Sequence, residues 1–457
     1  MKSFLTLILA AGMTLSAVNG ASAADIKVSG AWLTSFTFTD NLYGKNALNK
    51  DSNDGAFNAA HRVRINFDVV ASEALSGRVQ LQVANGDLRP NWYSYGNAGV
   101  GGPGYSVTAR LAYLDWLIPN TDVLVRMGRQ EVSMPSYTFV SSVLSSSNAI
   151  DGVMVSAPIN DMVAVNLGWL RPNADVNKWG SEHVPHSSFD LVYLGVDVAG
   201  DSFKVTPWGM VGFIGSDSSL NTITPGTTNV ARMGIVGFDA ATENTTAYWV
   251  GIGGELTLFD PFKFTADFMY SGNDADGLAE RSGWYAALGA EIKTSLATPF
   301  VRGWYASGDD ADSEGSDRML VIAGNGGFDA SAIYNEGNAL LSPTIDRTSA
   351  EGSWGVELGV KNVSFIEDLT HRLSLSYIQG TNNTNRISAK MVDWAPTDYL
   401  TTGDSLWEVD FLSSYKLYQN LTANLLLAYM ITDFDESIRT TRYDNAFRGT
   451  LNFTYSF

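Results

Sequence analysis

Phe447-Arg448-Gly449-Thr450-Leu451-Asn452-Phe453-Thr454-Tyr455-Ser456-Phe457 closes the chain and decides how the rest of it is read. In an extended strand successive side chains point to opposite faces. Phe447, Gly449, Leu451, Phe453, Tyr455 and Phe457 therefore share one face, and Arg448, Thr450, Asn452, Thr454 and Ser456 share the other. One face is apolar and the other is wet. Chain ends ordinarily fray, so aromatics at Phe453, Tyr455 and Phe457, beside a free carboxylate, point to a last strand paired on both edges. If that is how the chain closes, its other strands repeat the alternation and its start carries an export signal.

The start fits. Lys2 precedes the apolar run Phe4 to Val18, and Ala21-Ser22-Ala23 offers a small-residue cleavage site before Ala24. Residues 1–23 are expected to be a signal peptide, and 24–457 a single barrel domain. A helical anchor needs about 20 apolar residues. The run is shorter than that, and no later stretch is long and apolar enough to span a bilayer as a helix. Removing Lys2 leaves 28 basic residues against 48 acidic ones, a net charge of −20. Such a surface repels nucleic acid, and no basic cluster with interleaved aromatics offsets it. With no cysteine, disulfides, thiolate metal sites and cysteine nucleophiles are excluded. A mean hydropathy of −0.02 is what strands with one lipid-facing and one water-facing side produce.

The first strand runs from about Ile26 to Phe38, with Ile26, Val28, Trp32, Phe36 and Phe38 in one phase. Val63, Ile65, Phe67 and Val69 alternate with Arg62, Arg64, Asn66 and Asp68. Phe262, Phe264, Ala266, Phe268 and Tyr270 form another clear strand, as do Leu421, Ala423, Leu425, Leu427 and Tyr429. The fourth strand (Val107 to Leu117) and the sixth (Asp151 to Ala157) alternate less cleanly. Long polar connections such as Thr39 to Phe57, Gln130 to Ala149 and Gly308 to Gly352 take turns with short ones such as Ser72 to Gly77, Gly200 to Asp201 and Lys416 to Asn420. That asymmetry, with Trp32, Trp116, Trp169, Trp208, Tyr270, Tyr377, Trp407, Tyr415 and Tyr455 near segment ends, predicts interfacial aromatic girdles. The fold expected is all-β: a transmembrane antiparallel β-barrel of about eighteen strands, or sixteen if one hairpin is misread, with short periplasmic turns and long extracellular loops.

Arg62-Val63-Arg64 with Ser72-Glu73-Ala74-Leu75-Ser76-Gly77, Arg110 with Tyr113-Leu114-Asp115-Trp116, Val125-Arg126-Met127-Gly128-Arg129-Gln130 and the terminal Phe457 together resemble the bacterial homotrimeric outer-membrane (general diffusion) porins. The resemblance implies a homotrimer in outer-membrane lipid and lipopolysaccharide. It also implies an assembly signal at Phe453, Tyr455 and Phe457 read by the barrel-assembly machinery, and a third loop, around 130–149, folded into the barrel.

Arg62, Arg64 and Arg78 fall in the wet phase of adjacent strands, and Arg110 and Arg126 extend this basic wall toward the lumen. Glu131 and Asp151, at the ends of the third loop, are the acidic constriction candidates. The loop itself is rich in Ser and apolar residues and poor in carboxylates, a departure from the family pattern. The arginines could alternatively pair with Asp68, Asp115 or Glu131 and stiffen the wall. Asp310-x-Asp312-x-Glu314-Gly315 imitates a calcium loop, but Val321 stands where the bidentate Glu belongs. His183-x-x-His186, His61 and His371 lack the partners of a zinc site, and Gly99 to Gly104 lacks a phosphate-loop Lys. Neither metal nor cofactor is expected. The reading is a passive, water-filled pore for ions and small hydrophilic solutes, weakly cation-preferring because of its acidic mouth. The alternatives are a solute-selective porin with Trp249, Tyr285 and Trp304 as an aromatic track, an outer-membrane enzyme using His61 or His371, and a plugged structural barrel.

Overall fold

The computed structural model describes residues 24–42, 55–84, 93–94, 106–141, 143–144, 149–174, 188–215, 244–274, 280–311, 315–322, 328–334, 350–386, 400–438 and 444–457. The expected signal peptide, Gly99 to Gly104, His183, His186, Asp312 and Glu314 lie outside the described residues.

The strands are β1 (Asp25–Asp40), β2 (Ala56–Ser72), β3 (Leu75–Ala84), β4 (Tyr93–Ser94), β5 (Ser106–Leu117), β6 (Leu124–Glu131), β7 (Ala149–Pro158), β8 (Val163–Ala174), β9 (Ser188–Gly200) and β10 (Phe203–Ile214). They continue as β11 (Thr245–Leu256), β12 (Phe262–Asn273), β13 (Ser282–Ile292), β14 (Thr298–Ala306), β15 (Ser353–Ile366), β16 (Leu369–Gly380), β17 (Ser405–Tyr418), β18 (Leu421–Asp433) and β19 (Ala446–Ser456). The two-residue β4 pairs with β2 at Ala60 and His61. The other eighteen run in chain order round one antiparallel sheet, so eighteen strands is the count and sixteen falls.

Closure is made by β19, which pairs with both β18 and β1. Its register to β1 runs from Asp40 opposite Phe447 to Ala31 opposite Ser456. Beyond it the Gly30 and Phe457 backbones exchange N–H···O bonds of 2.8 and 3.0 Å. A closed sheet leaves no unpaired edge, the condition for strands to cross hydrocarbon. Among the described residues, no helix is long and apolar enough to cross a membrane.

Alternation decides the faces. Along β12, Phe262, Phe264, Phe268 and Tyr270 are exposed outward, whereas Asp267, Met269 and Ser271 are buried inward. Trp32, Trp116, Trp169, Tyr270, Trp407, Tyr415 and Tyr455 all stand exposed on the outer face. Trp208 does not: it is buried inside, because Phe203, Val211 and Phe213 carry the outward phase of β10.

The uneven alternation of the fourth expected strand has a cause. Gln80 stands opposite Leu111 and Leu81 opposite Ala109, so β5 carries one extra residue at Arg110. A bulge of this kind re-aims side chains. Val107 faces outward before it, and Leu114 and Trp116 after it. The bulge lets even-numbered Arg110 and odd-numbered Asp115 serve the same inner face.

Connections at the chain-terminal rim are short, as at 73–74, 201–202, 367–368 and 419–420, while those at the other rim are long, including 132–148 and 307–352. Two of the short turns hold a non-glycine residue in the left-handed region, Asn120 and Asp368, residue types that tolerate it.

The buried apolar cluster lies inside the barrel. Met134, Phe139, Val143 and Leu144 from between β6 and β7, with Met319 to Ile322, Phe328, Ile333 and Tyr334 from between β14 and β15, pack on inward residues such as Leu191, Met210, Trp249, Tyr285 and Trp304. An inner wall lined only by water would not carry so many large apolar side chains; they are there because two segments cover them.

Candidate functional site

The lumen has two unlike walls. On β2, β3, β5 and β6 the sequence-expected arginines form an oblique ladder. Arg64 lies opposite Gln82 and Asp68 opposite Arg78, and Asp115 lies opposite Arg126, so the ladder descends from the long-loop rim toward the short-turn rim. Arg62, Arg64 and Arg110 are near enough to repel one another, with Glu131 as the opposing charge.

Their bonds separate the five. Arg78 grips Asp68 with two bonds (2.6 and 3.0 Å), and Arg126 grips Asp115 the same way (2.7 and 2.8 Å) while lying 4.1 Å over the Tyr113 ring. Arg110 bonds Gln80 at 2.8 Å and Glu131 at 2.6 Å. Arg64 donates to the neutral side chain of Gln82 at 2.8 Å. Arg78 and Arg126, each held twofold by one aspartate, therefore brace the wall, and Arg62, Arg64 and Arg110 cluster around Glu131, which pairs with Arg110.

Glu131 sits where β6 leaves the wall, against Arg110. Asp151 corrects the sequence reading: it is paired with Arg129 at 3.1 Å, is 63% exposed, and shares the outward phase of β7 with Val153 and Val155. It continues as an outer-face row with Arg171 and Asp190 (2.7 Å) near Trp169. A one-residue difference in phase moves a side chain to the opposite face, and Asp151 is not part of the lumen.

The other wall holds two inserted segments by their backbones. Asp267 on β12 accepts the N–H groups of Tyr137 (2.8 Å) and Thr138 (2.7 Å). Glu408 on β17 accepts those of Ile333 (2.6 Å) and Tyr334 (3.2 Å), Asp410 accepts that of Ala332 (3.1 Å), and Arg448 on β19 donates to the Ala332 carbonyl (2.8 Å). Trp249 Nε1 donates to the Leu320 carbonyl (3.0 Å), and Ser271 accepts its N–H (2.8 Å). The segments touch each other: the Ile322 N–H donates to the Val143 carbonyl at 3.0 Å. Buried polar groups need partners, and here the wall provides them to irregular backbone.

Trp249, Tyr285 and Trp304 point inward, but they are buried beneath these segments rather than lining an open track. His61 packs edge-on to Trp32 (6.3 Å) and His371 stacks on Phe411 (5.6 Å), both in the outward phase of their strands. At the long-loop end Glu351 lies buried between Arg281 and Arg318; burial pulls the Arg281 guanidinium below its ordinary value, and Glu351 opposes the shift. No group of His, Asp and Glu among the described residues is arranged to hold a metal ion.

Asp267, Arg302, Glu408, Asp410 and Arg448 escaped the sequence reading. Their signal is present: each is a charge in the inward phase of a strand whose outward phase is aromatic or aliphatic. The partners that make them informative are more than a hundred residues away for Asp267 and Arg448, and only the fold shows them.

No family model matches the chain and no curated protein matches it. Solved structures do, at low identity. The Pseudomonas aeruginosa OpdK barrel, solved with vanillate, shares 10% identity over 95% of this chain and 98% of its own, with a TM-score of 0.55. Pseudomonas aeruginosa OprD shares 11% over 95% of this chain and 96% of its own, TM-score 0.54, and OccK11 (OpdR) of the same organism 11% over 95% and 96%, TM-score 0.53. These are outer-membrane porins, and at such identity the likeness establishes the shared eighteen-stranded barrel.

Proposed function

We propose that this chain is an outer-membrane porin, a water-filled channel for passive diffusion of ions and small hydrophilic solutes. The observation that carries the reading is a closed barrel, apolar outside, whose inside sets the Arg62–Arg64–Arg110 group opposite inserted loop segments. In such a lumen selectivity follows size and fixed charge. The acidic mouth favoured cations in the sequence reading. Asp309 and Asp274, however, follow the strands β14 and β12 at the long-loop rim and accept from the neutral donors Ser316, Asp317 N–H and Thr246 N–H, so they keep their charge at the mouth and not within the ladder. Arg64, bonded to a neutral amide, keeps its field inside the lumen. We therefore assign the pore a preference for anions, with Arg62, Arg64 and Arg110 as its selective group and Arg78 and Arg126 as braces.

The homotrimer, lipopolysaccharide contacts and recognition of Phe453, Tyr455 and Phe457 by the assembly machinery belong to this proposal only through the sequence resemblance to the homotrimeric general diffusion porins, and not through the solved barrels. Single-channel recording of the purified protein across a salt gradient tests it. Steps in groups of three with an anion-side reversal potential support the trimeric pore. Single steps remove the trimer, and a cation-side potential overturns the selectivity. A second reading, a barrel closed by its two inserted segments, is favoured by their apolar packing; silence at all voltages would select it.

A further inference from the structure

One residue of the first inserted segment, Thr138, is clamped between two strands through both of its backbone polar groups. The Thr138 N–H goes to Asp267 on β12 (2.7 Å), and its carbonyl accepts from Arg302 Nη1 on β14 (3.1 Å). The same guanidinium holds the second segment, donating from Nη2 to the Asp329 carbonyl (2.7 Å) and from Nη1 to the Asp329 carboxylate (3.1 Å). Asp329 then returns to the first segment by accepting the Val140 N–H at 2.9 Å. The ring of bonds is closed: Thr138, Arg302, Asp329, Val140.

Packing repeats the link. Arg302 lies 4.4 Å over the Phe139 ring, Phe139 meets Phe328 at 4.6 Å, and Trp304 meets both at 5.4 and 4.9 Å. Glu357 fixes the base of the fork through Nε. Only guanidinium supplies so many donors in one rigid plane; a lysine ammonium at this site could satisfy some acceptors but not all in these directions.

We infer that Arg302 is a positioning residue that couples the two inserted segments into one body and thereby sets the width of the passage. The coupling stands on geometry alone, whereas the statement about width rests on the pore reading. Movement of either segment away from Arg302 breaks bonds made by the side chain that also holds the other.

Hydrogen exchange of the full-length protein in detergent tests the coupling without any channel assay. In Arg302→Gln, amides of 132–141 and of 328–334 should both exchange at least tenfold faster than in the unmodified protein, with the β16–β18 strand amides unchanged. Arg302→Lys should fall between, and Arg78→Gln, on the far wall, should change neither segment. Should Arg302→Gln fail to fold, Asp329→Asn leaves the guanidinium in place and is expected to loosen both segments in the same way. Acceleration confined to one segment, or absent, overturns the coupling. In bilayers Arg302→Gln should conduct more and, in liposome swelling, admit larger neutral sugars. Equal conductance and size limit despite doubled loosening overturn the assignment of width to Arg302. Doubled loosening in a protein that never conducts, unmodified chain included, keeps the coupling and removes the pore.

Discussion

Asp267→Asn should release the first inserted segment while sparing the barrel. In the structure both carboxylate oxygens are used, one on the Tyr137 N–H and one on the Thr138 N–H, and the residue is 7% exposed. An asparagine keeps one acceptor and turns an N–H₂ group toward the other amide. The loss is one charge-assisted bond, about 1.5–3 kcal/mol, and the backbone N–H left without an acceptor adds about 1–3 kcal/mol. Part of this is recovered as the segment relaxes, so the opening equilibrium should shift by about 2–4 kcal/mol, on the order of thirty- to a thousandfold. Hydrogen exchange over 132–141 reads that change directly, because these amides exchange through local opening. The barrel should hold, since β12 keeps its ladders to β11 and β13. Exchange over 132–141 that stays within a factor of two of the unmodified protein would refute the view that this carboxylate anchors the segment.

Gly30→Val should weaken closure of the barrel: an added Cβ would lie 2.5 Å from the Arg64 carbonyl and 2.6 Å from the Phe457 ring, so the seam between β1 and β19 must shift, and the thermal midpoint in detergent should fall. Glu351→Gln leaves Arg281 and Arg318 buried with one neutral partner between them, a change of the class that costs about 3–5 kcal/mol; exchange over 316–322 should rise while that of the short-turn rim stays constant. Arg64→Gln should move the reversal potential toward the cation side at 0.1 M salt and much less at 1 M, because the screening length falls from about 10 Å to about 3 Å. An identical shift at both salts would place the selective charge elsewhere.

Much of this molecule is legible from the order of its residues. A period of two with aromatics on one phase is a local property that each strand reports independently, so about eighteen segments, most of them cleanly alternating, and their unequal connections point to a closed barrel before any contact is known. The same periodicity placed Arg62, Arg64 and Arg78 on the inner face. The Arg110 bulge makes the alternation of β5 uneven, yet Arg110 still serves the inner face as read; the reading failed at Asp151, whose unbroken phase along β7 faces outward. It also overstated the girdle at Trp208, where the outward phase of the strand belongs to its neighbours.

What the tertiary structure alone decided is the second segment inside the lumen and the anchors that hold both segments to the wall. The chain shows a long connection between β14 and β15, but nothing local says that its backbone enters the barrel and ends on Glu408, Asp410 and Arg448. Nor does it say that Arg302 reaches Thr138, 164 residues away. Strand pairing is written in short-range alternation, repeated many times. An anchor between an irregular segment and a wall is made once, by groups distant in sequence, and its geometry exists only when the barrel has closed around it.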